Sequence, residues 1–130
     1  ELGHGLALRD DIFVAGDVPH HLLFPHVAAV VHHGGAGTTT AAARGGAPQV
    51  ILPHILDQYY WAHRVSLLGL GPRPLPVEIV NAEVLTDLIA TAVGNPDIRE
   101  RAATFAAAIG SRNGVSDAVE YFEEITSDGH

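Results

Sequence analysis

The 130-residue chain has no cysteine, no methionine and no lysine. Without cysteine there are no disulfides and no thiolate metal sites, and the redox compartment stays open. Without lysine, all seven cationic side chains are arginine. A P-loop needs a lysine after its glycines, so that phosphate motif is excluded. With no methionine, the chain opens Glu1-Leu2-Gly3 and reads as a piece of something longer. Positive charge is scarce: 7 basic residues stand against 15 acidic ones, a net charge of −8. Nucleic acid demands a basic surface and is not expected as a partner. A small anion is still a possible ligand, because a helix terminus can hold one within an acidic protein. No apolar run approaches the roughly 20 residues that span a bilayer, so no membrane span is expected. No secretory signal pattern is visible, and a cytoplasmic location is the expectation. What the chain does have is 47% hydrophobic and 17% charged residues, enough for one folded domain with a core.

The stretch that organises the chain begins with Val30-Val31-His32-His33-Gly34-Gly35-Ala36-Gly37-Thr38-Thr39-Thr40 and runs on to Gln58. An apolar run (28–31) ends in histidines and glycines. A threonine cluster then opens an alanine-rich segment that Gly45-Gly46 stops, and Gln49-Val50-Ile51-Leu52-Pro53 comes next. This predicts strand, glycine turn, helix (38–44) and strand (49–52). A helix that starts just after a glycine turn aims unpaired N–H groups and its positive dipole end at the turn, which makes an anion site.

Elsewhere, Ile12-Phe13-Val14-Ala15 is apolar and β-branched and is expected to form a buried strand. The run 19–25, bracketed by Pro19 and Pro25, predicts one short helical turn. Residues 57–68 predict a helix with Trp61, Val65 and Leu68 on one face, ended by Gly69 and Gly71. The run 72–76 holds three prolines and is at best the start of an edge strand. Asn81 and Asn95-Pro96 are start signals for two more helices. Their stripes are Val84, Leu85, Leu88, Ile89 and then Ala102, Phe105, Ala106, Ile109, with Gly94 and Gly110 as stops. A last helix is expected at about 115–125, with a frayed tail at 127–130 and a poorly ordered lead-in at 1–11. Alternating strands and helices imply an α/β fold, a Rossmann-like parallel sheet flanked by helices. Three strands are few for a doubly wound fold, so the chain reads as the second half of one.

The run His33-Gly34-Gly35-Ala36-Gly37-Thr38-Thr39, followed by Gly46-Ala47-Pro48, Pro53 and Asp57-Gln58, resembles the nucleotide-sugar signature of the UDP-glycosyltransferase superfamily. Bacterial antibiotic and macrolide glycosyltransferases and sterol glucosyltransferases look nearest. The resemblance covers residues 11–71 closely and the later helices loosely. It implies a GT-B fold, in which two Rossmann-like domains flank a cleft and the signature lies in the C-terminal, donor-binding domain. Residues 1–130 would then be part of that domain, with the N-terminal acceptor domain absent. Carried over residue by residue, His33, Gly35, Ala36, Gly37 and Thr38 match the donor-diphosphate contacts. Asp57 and Gln58 match the pair that reads the sugar hydroxyls, and Val18 best matches the residue that contacts the base. The donor implied is a UDP- or dTDP-sugar, used for inverting transfer to a small natural-product or sterol-like alcohol. No metal and no other cofactor is expected. The family's catalytic base belongs to the missing domain, so no catalytic residue is assigned here and the chain alone is expected to be inactive.

Three positions depart from plant or animal members. No tryptophan stands near Ala15 to stack the base, Ala41 stands where a glutamate holds the ribose hydroxyls, and Gly37 replaces an asparagine. Loss of the ribose reader is compatible with a dTDP-sugar, and bacterial members commonly lack that glutamate.

Plainer readings stand beside this one. A glycine turn alone is more often structural than a ligand site. A dinucleotide site is the nearest rival, since Gly35-x-Gly37 follows a strand and Asp57 lies twenty residues after Gly37. Against it, Thr40 stands where the third glycine belongs, and Asp57 follows Pro53 instead of ending a strand. The nine histidines form no i, i+4 ligand pair; His32 is read as packed at the strand end, and His54 and His63 as rim residues. Trp61, Tyr59 and Tyr60 fit helix packing at least as well as an acceptor cleft. A non-catalytic binding or self-associating module is the other class. Strand edges left open by a half-fold predict a homodimer or larger species, which a sharp monomer in analytical ultracentrifugation at high concentration would reject.

Overall fold

A short apolar strand, a glycine turn and a helix of small residues can fold back on themselves only if the next strand runs parallel, with the helix as crossover. The computed structural model, which describes residues 10–110 and 123–124, has this unit at its centre. Strand β1 (Val30–His32) pairs in parallel with β2 (Gln49–Ile51), in the register Val30↔Gln49, Val31↔Val50, His32↔Ile51. Before β1 come a four-residue helix α1 (His20–Leu23) and a 3-10 turn (Phe24–His26); between the strands runs α2 (Ala36–Gly45). After β2 come α3 (Leu56–Leu67), a 3-10 turn (Val77–Ile79), α4 (Ala82–Gly94) and α5 (Pro96–Ile109). This is a mixed α/β fold with a parallel sheet flanked by helices.

Small residues set how closely α2 approaches the sheet. Ala42 and Ala43 are buried, and each meets a different cluster. Ala42 packs with Phe24, Val30 and Ala47. Ala43 packs with Ile51, Trp61, Val65, Leu70, Phe105 and Ile109. Burying such side chains, at about 25 cal/mol per Å² of apolar surface, is the main force holding the helices to the strands. Gly46 ends α2 in the left-handed region (φ +73°); its N–H reaches Ala43 O at 3.2 Å and the Ala47 N–H reaches Ala42 O at 3.1 Å, a Schellman-type closure. Asn81 caps α4 by accepting from the Val84 N–H at 2.8 Å, and Asn95 caps α5 by accepting from the Asp97 N–H at 2.9 Å. Each cap contributes about 1 kcal/mol.

The expected short helix between the prolines, both central strands and the four long helices form. Trp61 and Val65 are core residues of α3, which settles Trp61 as packing. On α5 the buried stripe is Ile98, Ala102, Phe105 and Ile109, while Ala106 is half-buried. The α4 stripe is only half-buried, and Ala92 is its fully buried residue.

One expected strand does not form. Residues 12–15 are irregular, with Phe13 89% exposed. A β-branched run becomes a strand only where a partner strand and a covered face exist, and the described sheet has two strands. The proline-rich run 72–76 is likewise not a strand. The expected lead-in at residues 1–9, the tail at 127–130 and most of the helix at 115–125 lie outside the described residues; Glu123 and Glu124 are helical.

Candidate functional site

Parallel strands send both of their following turns to the same end of the sheet, and ligands of open α/β sheets bind outside that carboxyl end. Here the two turns are 33–35, after β1, and 52–55, after β2. Gly34 brings them into contact. It adopts φ +103°, and a Cβ built on it would lie 2.9 Å from the Gln58 carbonyl oxygen and 3.1 Å from Ile51 Cγ2. Only glycine allows both that backbone angle and that approach. The glycine turn is therefore packed against the first turn of α3, where Asp57 and Gln58 sit.

The helix α2 begins at Ala36, with Gly35 as an extended N-cap and no side-chain cap. The N–H groups of Ala36, Gly37 and Thr38 thus lie in the first turn, which has no intrahelical acceptors for them. Of the three threonine hydroxyls, two are tied back into the helix: Thr39 Oγ1 donates to Gly35 O and Thr40 Oγ1 to Ala36 O, each at 2.7 Å. The half-buried Thr38 has no such partner among the described residues. Nothing lies within 4 Å of a Cβ built at Gly37, so the mouth of the turn is open there. The exposed His33 ring lies over Gly35, with Cε1 3.1 Å from the Cβ position. The five residues 33 and 35–38 that the sequence singled out therefore lie together at one helix N-terminus.

The second turn adds Asp57, exposed in the first turn of α3. Gln58 is more committed than its sequence role suggests. Its Oε1 accepts from the His54 N–H at 2.8 Å and the Ile55 N–H at 3.1 Å, while its own N–H donates to Ile55 O at 2.9 Å. Its amide NH2 is the part left to meet a ligand. Leu56, between this cap and Asp57, sits at φ +26° and is 87% exposed.

Three residues that the sequence did not assign to the site stand beside it or along α2. The His54 ring stands edge-on to His33, with centroids 6.3 Å apart. His21 and Arg44 line a cavity of about 260 Å³ that also touches Gly37 and Ala41. No local pattern marks them; they are assembled by the packing of α1 against α2. Val18 does not join this cavity; it is 38% exposed on the stretch leading into α1. His63 lines a separate cavity with Tyr59 and Arg73, between α3 and the proline-rich run.

Behind the opening, His32 is built into the structure. Its Nδ1 accepts from the Gly34 N–H at 3.0 Å, so the proton sits on Nε2, which donates to Gln49 Oε1 at 2.7 Å. Burial lowers the His32 pKa below the ordinary histidine value, and the nearby rings of His33 and His20 push the same way against the Gln49 bond. Among the described residues, no group of three or more histidine, aspartate or glutamate side chains could hold a metal ion. No described helix is long and apolar enough to cross a membrane.

A family model described as "Erythromycin biosynthesis protein CIII-like, C-terminal domain" matches residues 3–125. The chain is 39% identical over 118 residues to O-mycaminosyltylonolide 6-deoxyallosyltransferase of Streptomyces fradiae, a match covering 91% of this chain and 28% of that protein. It is 37% identical over 113 residues to a sterol 3-beta-glucosyltransferase of Arabidopsis thaliana, covering 87% of this chain and 18% of that protein. The chain thus spans less than a third of these relatives. Among solved structures it superposes on the glycosyltransferase VinC in complex with dTDP with a TM-score of 0.72 and 28% identity, covering 92% of this chain and 30% of that one. Spinosyn forosaminyltransferase SpnP shares the fold, with a TM-score of 0.74 at 23% identity, covering 92% of this chain and 32% of that one.

Proposed function

The chain belongs to the erythromycin biosynthesis protein CIII-like C-terminal domain family of UDP-glycosyltransferases, and from that premise we propose that it binds the nucleoside-diphosphate end of a UDP- or dTDP-sugar. The observation that carries this reading is the open helix N-terminus at residues 35–38, with the Thr38 hydroxyl unpartnered among the described residues, set against the first turn of α3. The N–H groups and the Thr38 hydroxyl would bond the phosphate oxygens, with His33 beside them. Asp57 and the Gln58 amide would accept from and donate to sugar hydroxyls. The cavity beside Gly37 and Ala41 would receive the nucleoside; Val18, outside its lining on the stretch before α1, would contact the base only if that stretch folded over the bound nucleoside. That a solved relative holds dTDP supports the choice of ligand class.

In the whole protein we propose inverting sugar transfer to a small-molecule alcohol. As the glycosidic bond breaks, negative charge grows on the departing diphosphate. Donors fixed at those oxygens stabilise the transition state more than the ground state, and a helix N-terminus supplies them without a metal. The base that deprotonates the acceptor would come from a domain outside this chain, which would leave the 130 residues able to bind but not to catalyse.

Calorimetric titration with UDP, dTDP, UDP-glucose and NAD tests the reading. We expect binding of the nucleoside diphosphates, weakened about tenfold or more by Thr38→Ala and by His33→Ala, as for loss of a hydrogen bond to a charged group. Preference for NAD, or diphosphate binding indifferent to both substitutions, would sink it.

A further inference from the structure

Turns that hold anions must be held themselves, and this one is fastened from behind by a closed circuit of hydrogen bonds. It starts at the Gly34 N–H, which donates to His32 Nδ1 at 3.0 Å. His32 Nε2 donates to Gln49 Oε1 at 2.7 Å. Gln49 is fully buried, and its Nε2 donates to Thr39 O at 3.2 Å. Thr39 in turn donates through both its N–H (2.9 Å) and its hydroxyl (2.7 Å) to Gly35 O. The circuit thus leaves the turn at Gly34 and returns to it at Gly35. It crosses from β1 to β2 and on to α2, so it ties the turn to the three elements that define the site.

We propose that His32, which stands behind the candidate anion site, is a positioning residue for it: in its neutral Nε2–H form it completes this circuit and so holds the Gly34–Gly35 turn and the first N–H groups of α2 in the geometry an anion requires. The proposal rests on the nucleotide-binding reading for its ligand but not for its structural content. The direction of each bond matters. Gly34 N–H is a donor, so Nδ1 must stay bare, and Gln49 Oε1 is an acceptor, so Nε2 must carry the hydrogen. A second proton on the ring would put two hydrogens face to face at Gly34 and break the circuit there. Among the groups facing His32, burial, the neighbouring His33 and the α1 residue His20 disfavour the charged ring, and only the bond to its uncharged β2 partner Gln49 favours it. The unfolded chain therefore takes up a proton on this histidine at a higher pH than the folded chain does. The circuit's contribution is intact above the ordinary histidine range and is lost as the pH falls below about 6.5 toward the lowered folded value.

The test uses four chains: the parent, His32→Phe, His32→Asn and Gln49→Glu. Asparagine keeps an acceptor where Nδ1 lies; phenylalanine keeps the bulk only. Glutamate keeps the shape of Gln49 and favours the charged imidazolium, but it loses the donor to Thr39 O, so this variant is read by the pH dependence of its profile and not by its absolute affinity. Affinity for UDP-glucose, whose diphosphate diester does not titrate near neutrality, is measured from pH 5.5 to 8. Ring-nitrogen NMR reads the His32 tautomer, and amide hydrogen exchange reads residues 34–38 without ligand. We expect an Nε2–H tautomer in the parent chain. We expect about tenfold weaker binding and faster exchange in His32→Phe, as for one misplaced donor, with most of both recovered in His32→Asn. In Gln49→Glu the pH at which binding falls and exchange rises should move upward, a shift that a merely space-filling role would not produce. An Nδ1–H tautomer in the parent overturns the proposal. So does unchanged exchange in His32→Phe, or a Gln49→Glu profile that superposes on the parent's. Should the parent bind no nucleotide at any pH, the functional reading fails, and the exchange data with the tautomer still decide the positioning role. Should His32→Phe not fold, the Gln49→Glu profile decides it.

Discussion

Gly34→Ala is expected to weaken UDP-glucose binding about 100-fold, a cost near 3 kcal/mol. Two penalties combine at this position. A left-handed backbone costs a residue with a side chain about 1–2 kcal/mol, and Gly34 sits at φ +103°. The new methyl would also stand 2.9 Å from the Gln58 carbonyl oxygen and 3.1 Å from Ile51 Cγ2, inside a packed wall, where overpacking costs about 1–3 kcal/mol. The turn relieves both by moving away from α3. That movement separates the proposed diphosphate contacts from Asp57 and Gln58 and pulls the Gly34 N–H off His32. Gly37→Ala is the matched control for the fold. No atom lies within 4 Å of the added methyl, and alanine exceeds glycine in helix propensity by up to about 1 kcal/mol, so the fold should be at least as stable. Calorimetry on both variants, with urea unfolding alongside, checks this. Parent-like affinity in Gly34→Ala would show that the approach of the two turns does not matter for binding.

Gly71→Ala is expected to damage the fold more than any other single methyl added to a described glycine. Its Cβ would run into the Gln49 carbonyl oxygen and stand 2.9 Å from the carbonyl carbon. Both are backbone atoms of a central strand, so no side chain can swing aside. The residue just before the contact is also pinned: Leu70 is buried, its C=O accepts from the Gln49 N–H at 2.9 Å, and its N–H donates to Val65 O at 3.1 Å. We expect a loss of about 3 kcal/mol, which lowers the melting temperature by roughly 10 °C for a domain of this size. Gly94→Ala, where nothing lies within 4 Å, should melt near the parent. Equal melting temperatures for the two variants would mean that the 69–71 segment does not press on β2 as described. Because Gln49 carries the link from His32 to Thr39, residual binding by Gly71→Ala should also be weakened.

The βαβ centre was legible in the chain because each of its signals is local. An apolar run, glycines, small helix formers, a double glycine stop and a second apolar run occur in that order. The helix α2 starts at Ala36 and not at Thr38 because Gly35 takes the extended N-cap conformation, leaving Thr39 and Thr40 to bond back to the carbonyls of the first turn. The residues proposed for the diphosphate were legible as a glycine turn opening a helix, an anion-prone arrangement, while the separate roles of His33 and Thr38 came from the family resemblance. The strand expected at 12–15 was not reliable, since β propensity reports only that a residue suits a sheet, while pairing needs a neighbour that distant sequence supplies.

Turns, caps and hydrophobic spacing act over a few residues, so the class of fold, the punctuation of its helices and the glycine turn at the start of α2 were all written in the chain. Which distant residues that turn would meet was a matter of three-dimensional packing. The parallel register, with Val31 beside Val50 and His32 beside Ile51, leaves His32 within reach of Gln49, seventeen positions away. The same register sets Gly34 against Gln58 and His33 beside His54. Burial then fixed the state of His32, for an imidazole in an apolar setting with one donor and one acceptor to satisfy holds a single proton.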